Sequence, residues 1–312
     1  MGRRRSPMFE ALTFGLGYNV ALVTLGALAL GLASGGVGGF LSLRGRVLVA
    51  DAIAHATLPG LALGFLIMAS LGGSGRFLPG LMLGSALSAL VGLWVVEWLS
   101  RRTRLPEDAA IGAVLSVFFG AGVVLLTVIQ TLPFGRQAGL EGFLLGSTAG
   151  MLRADAQLVA LGGALVLILA LVLRRPLVMA AFDPGFAGMI GVSRTWLDRA
   201  LMFLVLAVVV VGMKIVGLIL IVALLIIPAA TARLWAGQAM TMIALSALFG
   251  GLSGYVGAAI SASGPDLPTG AVIVLVAAAL FAISLVAAPE RGILAVSLRQ
   301  MRLRRALRAR LR

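Results

Sequence analysis

An aspartate and a histidine lie four residues apart within a long apolar run, at Asp51 and His55. In an α-helix this spacing places both side chains on one face, where they can contact the same ligand. An ionisable residue inside an apolar span costs several kcal/mol unless it faces a partner or water. A carboxylate and an imidazole together suit zinc, manganese or ferrous iron. The pair is therefore a candidate metal site on a polar pathway.

A structural role for the same pair is an equal alternative on the residues alone. Asp51 lies close in sequence to Arg44 and Arg46, near the start of its apolar run. In that alternative Asp51 pairs with one of these arginines and hydrogen-bonds to His55, and no metal is involved. The residue types and their spacing fit both interpretations.

The scarcity of other reactive side chains excludes several classes of protein. The chain has no cysteine, one histidine and one lysine among its 312 residues. It therefore has no thiolate site, and it cannot form the paired histidines of an H-E-x-x-H metalloprotease. Lys214 follows Met213, so the Gly-Lys-[Ser/Thr] sequence of an ATP-binding P-loop is missing. We expect a chain that is not an enzyme, binds no permanent cofactor and takes any energy from a partner.

The composition predicts a membrane protein. Hydrophobic residues make up 61% of the chain and charged residues 12%, against about 45–50% and about 25% in soluble domains. The expected fold is all-α, a polytopic bundle of about eight to nine transmembrane helices. The stretch 200–232 is either two short spans or one span with a re-entrant piece. The apolar runs lie at roughly 15–40, 48–70, 78–100, 109–131, 156–173, 200–213, 215–232, 239–262 and 270–288.

Basic residues between the runs predict the orientation of the chain. Nine spans with an external N-terminus put 18 of the 25 basic residues on the cytoplasmic side, as the positive-inside rule requires. Eight spans with an internal N-terminus compete, because Arg3–Arg5 favour the cytoplasm. Either way we expect an N-terminal tail 1–12, a transmembrane domain 13–292 with a cytoplasmic loop 174–199, and a basic cytoplasmic tail 293–312. Arginines in that tail favour contact with membrane lipids over nucleic acid.

Proline and glycine mark two further features. Asp183 followed by Pro184 is typical of a helix start and Gly191 of a helix end, so the cytoplasmic loop should contain a helix of one or two turns. Such a helix is either an ordinary connector or a docking surface for a cytoplasmic partner. Within the spans, small residues and prolines favour close packing and helix breaks, at Pro59, Gly60, Gly64, Gly217 and Pro228.

Four segments, in order, resemble the membrane subunits of ABC importers for zinc and manganese, the ABC-3 permease family. The similarity runs from about residue 10 to 295. The segments are Asp51-Ala-Ile-Ala-His55-Ala-Thr-Leu-Pro59-Gly60; Ala181-Phe182-Asp183 with Ala187 and Gly191; Val216-Gly217-Leu218-Ile219-Leu220 running to Pro228-Ala229-Ala230-Thr231-Ala232; and Ala288-Pro289-Glu290-Arg291-Gly292.

The resemblance implies a core of two permease subunits, homodimeric or heterodimeric, in the bacterial inner (plasma) membrane. It implies two cytoplasmic ABC ATPase subunits and an extracytoplasmic metal-binding protein as partners. Asp51 and His55 would hold the transported cation (manganese or zinc, with iron as a further candidate) only transiently, and a homodimer would bring together two of each. Residues 182–191 would dock into the ATPase, with Asp183, Pro184, Ala187 and Gly191 forming the helix.

One position departs from the family, and two other functions compete. The residue before the histidine is commonly serine in the family and is Ala54 here, which weakens metal ligation if that hydroxyl assists it. A secondary cation transporter would need inverted repeats and several intramembrane acids, whereas Asp51 alone fits that description. An ABC permease for a metal chelate or vitamin would leave Asp51 and His55 without a role.

Overall fold

The computed structural model is all-helical, without strands, in the part of the chain that it describes: residues 18–72, 77–132, 146, 153–264, 267–289, 291–295, 297, 300 and 301. The expected all-α fold is confirmed. Its helices are α1 (Tyr18–Arg44), α2 (Leu48–Ser70), α3 (Leu78–Arg102), α4 (Glu107–Thr131), α5 (Arg153–Val172), α6 (Arg174–Phe182), α7 (Pro184–Met189), α8 (Arg194–Gly212), α9 (Leu218–Trp235), α10 (Ala239–Ser263) and α11 (Thr269–Ala287).

Eight of these helices are long and apolar enough to cross a bilayer, namely α1 to α5, α8, α10 and α11. The apolar helix α9 has 18 residues and is about 27 Å long at 1.5 Å per residue. Eight to nine transmembrane helices, as expected, are therefore present. The ambiguous stretch 200–232 contains parts of two helices, because the chain turns between α8 and α9. Gly217 ends that turn with a φ of 91°, a conformation that favours glycine.

Polar contacts connect the ends of some helices to the starts of others at one face of the bundle. Arg46, between α1 and α2, donates to Glu107 at the start of α4 at 2.8 Å. Arg199, near the start of α8, donates to Glu97 near the end of α3 at 3.4 Å. The end of α9 contacts the segment after α11. There the guanidinium of Arg291 donates to the Arg233 carbonyl at 3.0 Å. The ends of α1, α3, α9 and α11 therefore lie at the same face as the starts of α2, α4 and α8, so these helices alternate in direction.

This face carries the features of a cytoplasmic membrane boundary. It includes the arginine-bearing helix ends just described, and basic residues favour the cytoplasmic side. All four tryptophans of the chain lie toward it: Trp94 and Trp98 near the end of α3, Trp196 near the start of α8 and Trp235 at the end of α9. Tryptophan is enriched where helices meet the lipid headgroups. We infer that this face is cytoplasmic and that the Tyr18 end of α1 lies outside.

Helix α1 lies at the centre of the bundle and packs most closely on α10. A side chain at Gly31 would overlap the backbone of Gly250, and one at Gly35 would overlap the backbone of Ser246. The Ser246 hydroxyl also donates to the Gly35 carbonyl at 2.5 Å. Lipid tails are as apolar as leucine, so helix association in a membrane depends on such close packing and on interhelical hydrogen bonds.

The expected terminal segments fall largely outside the described residues. The tail 1–12 with Arg3–Arg5, Glu290, and most of the basic tail 293–312 are outside them. The expected transmembrane domain 13–292 contains every helix from α1 to α11. The boundaries at 12 and 292 stay predictions.

Replacing Gly250 with alanine should destabilise the protein, because the new β-carbon would overlap the backbone of Gly31. Overpacking of this kind costs about 1–3 kcal/mol, so purified G250A should unfold at a lower temperature than the wild type. Gly120 in α4 is the matched control, since a β-carbon there meets nothing within 4 Å and alanine is the better helix former. Equal unfolding temperatures for G250A and G120A would contradict the α1–α10 packing.

Single introduced cysteines report the side of the membrane directly, because the chain has no cysteine of its own. Nine crossings place Leu71, which is 81% exposed after α2, outside, and Gly237, between α9 and α10, inside. A membrane-impermeant maleimide should label L71C in intact cells and G237C only after permeabilisation. Labelling in the opposite order, or of both variants in intact cells, would overturn this orientation.

Candidate metal site

Asp51 and His55 meet on the first two turns of α2. Asp51 lies in the first turn, where the positive end of the helix dipole favours a carboxylate. His55 Nε2 is 3.3 Å from Asp51 Oδ1, so the structure brings the pair together as the spacing predicts. The Asp51 side chain is 38% exposed and that of His55 is 18% exposed. One side of the pair is therefore open on the surface of this single chain.

The imidazole of His55 rests against α4. The ring centroid of Phe119 lies 4.9 Å from that of His55, with the ring planes at 81°. This edge-to-face contact is a favoured aromatic arrangement, and it limits rotation of the imidazole beside Asp51. Sequence reasoning missed Phe119, because an aromatic residue in an apolar helix is equally expected to face lipid.

The two arginines near the pair bind other acids. Arg44 pairs with Asp198, and Arg46 donates to Glu107. The arginine pairing expected in the structural alternative is therefore wrong, whereas the contact of Asp51 with His55, which that alternative shares with the metal site, is present. Proximity along the chain suggested the wrong partners, because the fold brings acids from α8 and α4 to the same face.

Ala54, the departure from the family pattern, lies on a different side of α2. It is 1% exposed, so its β-carbon faces the helix packing, whereas Asp51 and His55 are partly open. A hydroxyl at this position would point into that packing. The substitution therefore leaves the open side of the pair unchanged.

The Asp51–His55 pair has the separation of a chelating site. Nitrogen and oxygen ligands of zinc usually lie about 2.1 Å from the ion. For an ion at that distance from both His55 Nε2 and Asp51 Oδ1, which are 3.3 Å apart, the N–ion–O angle would be about 104°. That angle is close to tetrahedral. Among the described residues, no group of three or more histidine, cysteine, aspartate or glutamate side chains could hold a metal. One chain thus offers two ligands here, and others would come from water or a second chain.

Pro59, Gly60 and Gly64 follow His55 along α2, and the two glycines pack this helix against α3. A side chain at Gly60 would overlap the Gly84 carbonyl, and a β-carbon at Gly64 would be in ordinary contact with α3. Pro59 lies inside the helix, where it removes one backbone hydrogen bond. These residues fix the position of the helix that carries the pair.

Gly217 and Pro228 belong to α9. Gly217 permits the turn that precedes this helix, and Pro228 is buried within it. One turn later, the Thr231 hydroxyl donates to the Ile227 carbonyl at 2.8 Å. The expected role of Gly217 and Pro228 in gating stays a prediction.

The loop 174–199, expected to be cytoplasmic, contains the short helix that the sequence predicts. Helix α7 begins at Pro184, and the Asp183 carboxylate caps it by accepting from the Phe186 backbone N–H at 2.9 Å. Gly191 follows the helix with a φ of 81°, and Ala187 is fully buried. The sequence signals for the start and the end of this helix are therefore confirmed.

Large apolar side chains project from α7 and its flanks. Three of them, at positions 186, 189 and 190, have the three- and four-residue spacing of one helical face, and the fourth ends α6. Exposed apolar clusters outside a membrane span mark contact surfaces. Sequence reasoning concentrated on the Asp-Pro and Gly signals and missed this periodicity. The exposed residues are Phe182 at 68%, Phe186 at 47%, Met189 at 80% and Ile190 at 53%.

Comparison with known proteins identifies relatives along nearly the whole chain. Residues 18–288 match a family described as the ABC 3 transport family. The chain is 41% identical over 299 residues to the manganese transport system membrane protein MntC of Bacillus subtilis (strain 168), covering 96% of this chain and 68% of that protein. It is 41% identical over 277 residues to the zinc transport system membrane protein TroC of Treponema pallidum (strain Nichols), covering 89% and 91%.

A solved structure has the same fold. It is PsaBC from Streptococcus pneumoniae in complex with Fab, which matches with a TM-score of 0.78 at 31% identity. The match covers 93% of this chain and 99% of the compared chain. Sequence and fold therefore point to the same group of relatives.

Proposed function

Because the chain belongs to the ABC 3 transport family, we propose that it is the permease subunit of an ATP-driven importer of manganese or zinc, in which Asp51 and His55 hold the ion in transit. The chain is a multi-pass protein of the bacterial inner membrane. The observation that carries the site assignment is the 3.3 Å separation of the two ligand atoms on α2.

The chemistry of the pair suits a cation that must also leave. The Asp51 carboxylate offsets part of the ion's charge, and His55 supplies a neutral nitrogen ligand. A permeation site must bind well enough to admit the ion and weakly enough to release it, which favours two ligands per chain over a closed set of four. Carboxylate and imidazole accept both manganese and zinc, and the relatives include transport proteins named for each.

A second permease copy completes the site in this proposal. The open sides of Asp51 and His55 would face the same residues of the other copy, so that a homodimer offers two carboxylates and two imidazoles. Joining the copies also removes two ionisable side chains of each copy from contact with lipid, where they are costly. An importer of a chelate or vitamin would leave these side chains without a ligand, and a secondary transporter would not belong to an ABC family.

Helix α7 is the proposed contact with a cytoplasmic ATPase. Support comes from its capped ends and its exposed apolar side chains at the cytoplasmic face. An extracytoplasmic metal-binding protein would deliver the cation to the opposite face. ATP binding would then move α7 and shift the bundle between two packings, which requires that both have similar free energy.

Removing either proposed ligand should stop uptake while leaving the protein folded. In D51A and H55A, uptake of radioactive manganese and zinc should fall at least roughly tenfold, since even residues that only orient ligands change metal affinity by about 10–100-fold. The assay uses the complete transporter with its ATPase and binding protein. Asp155→Asn is the matched control, because Asp155 is also an acid in the first turn of an apolar helix. Wild-type uptake by both alanine variants would refute the site.

An acidic residue on the exposed face of α7 should prevent ATPase docking. Met189→Asp should reduce the amount of ATPase that co-purifies with the tagged permease, because a carboxylate replaces an apolar side chain that is 80% exposed. Asp183→Ala should act in the same direction, since loss of a helix cap costs about 0.5–2 kcal/mol. Leu105→Asp, in the loop between α3 and α4, controls for the added charge. Undiminished co-purification of M189D would contradict this docking surface.

A further inference from the structure

Arg44 differs from the other arginines at the cytoplasmic face in being buried. Its side chain is 8% exposed, whereas those of Arg101, Arg194 and Arg199 are 60–66% exposed. A buried guanidinium is costly unless acceptors surround it. Its partners should therefore be fixed parts of the structure, and they identify which elements Arg44 joins.

The Arg44 guanidinium connects the helix that precedes α7 to the helix that follows it. Arg44 Nη1 donates to the Ala180 carbonyl at 2.9 Å, and Nη2 pairs with the Asp198 carboxylate. Ala180 lies in the last turn of α6, where helix carbonyls have no partner within their own helix. Asp198 lies in α8. Arg44 thus holds the end of the helix before α7 and the start of the helix after it.

The same arginine ends α1 immediately before the helix that carries the metal ligands. Only residues 45–47 separate it from α2. Backbone hydrogen bonds stiffen this turn, from Arg46 N to the Leu41 carbonyl and from Val49 N to the Arg46 carbonyl, each at 3.2 Å. Asp51 follows within the first turn of α2. A displacement of α6 or α8 at Arg44 is therefore passed to α2 through a short and hydrogen-bonded segment.

We propose that Arg44 is the positioning residue that transmits movement of the α6–α8 segment to the metal-binding helix α2. The fork geometry of arginine serves two acceptors at once, which the single ammonium of lysine does less well. Arg199 of α8 also contacts Glu97 of α3, the helix that packs against α2. This inference rests on the proposed roles of α7 and of the Asp51–His55 pair.

The first test compares ATP hydrolysis with uptake in the complete transporter. In R44Q, uptake should fall roughly tenfold relative to ATP hydrolysis, within the 5–150-fold range that is typical of coupling between sites, and R44K should fall between R44Q and the wild type. Arg194→Gln is the control. Arg194 lies 3.9 Å from the same Asp198 carboxylate but is 66% exposed, so it should leave the ratio unchanged.

A wild-type ratio of uptake to hydrolysis in R44Q would overturn the proposal, whether both activities fall equally, which would assign Arg44 a purely structural role, or neither falls. This result is distinguishable from failure of the proposed function. Absence of cation uptake by the wild-type transporter would refute the function itself, whereas normal wild-type uptake with a normal R44Q ratio would refute only the link.

The second test measures the link without relying on transport. Spin labels at L48C, the first residue of α2 and 55% exposed, and at R175C, an exposed position in α6, report the distance between the two elements in the assembled complex. In otherwise wild-type protein the distance should stay constant when ATP is added, because the elements move together. In R44Q it should broaden or shift. Identical distributions with and without R44Q, or an ATP-dependent change without R44Q, would overturn the link.

Discussion

The structure depends on the cost of placing charge at or within a bilayer. An unpaired charge in a transmembrane helix costs several kcal/mol, and the key charged residues at the spans are paired: Arg44 with Asp198, Arg46 with Glu107, and Asp51 with His55. The first two pairs fasten helix ends at the cytoplasmic face. The third pair differs, because it joins a carboxylate oxygen to an imidazole nitrogen, both of them metal ligands, at a separation of 3.3 Å. This difference separates the candidate site from the structural pairs.

Close packing between helices provides the attraction that hydrophobic burial cannot provide in lipid. Helix α1 contacts α10 through glycines such as Gly31 and Gly250, and α2 contacts α3 through Gly60 and Gly84. These contacts set the position of α2 and therefore of Asp51 and His55. They rely on backbone shape instead of long side chains. Such packing suits a protein that alternates between two arrangements of similar free energy.

The sequence predicted most of the fold and the principal pair. Apolar runs located the spans, and the spacing of Asp51 and His55 predicted a pair that the structure places at 3.3 Å. Asp183, Pro184 and Gly191 correctly delimited α7. The partners of Arg44 and the contact of Phe119 with His55 could not be predicted, because they join helices far apart in sequence. Composition and periodicity determine what each helix buries, whereas the helix-to-helix arrangement selects the partners.

Identification of the atoms that touch the transported ion tests the account most directly. The chain has a single histidine, so ¹⁵N-labelled histidine in the permease alone gives an unambiguous signal. Electron spin-echo spectroscopy of Mn²⁺ bound to the assembled transporter, with unlabelled partner subunits, should detect coupling to this nitrogen, and His55→Gln should remove it. Specifically bound Mn²⁺ without coupling to the labelled nitrogen would contradict the central claim that His55 is a ligand of the ion in transit.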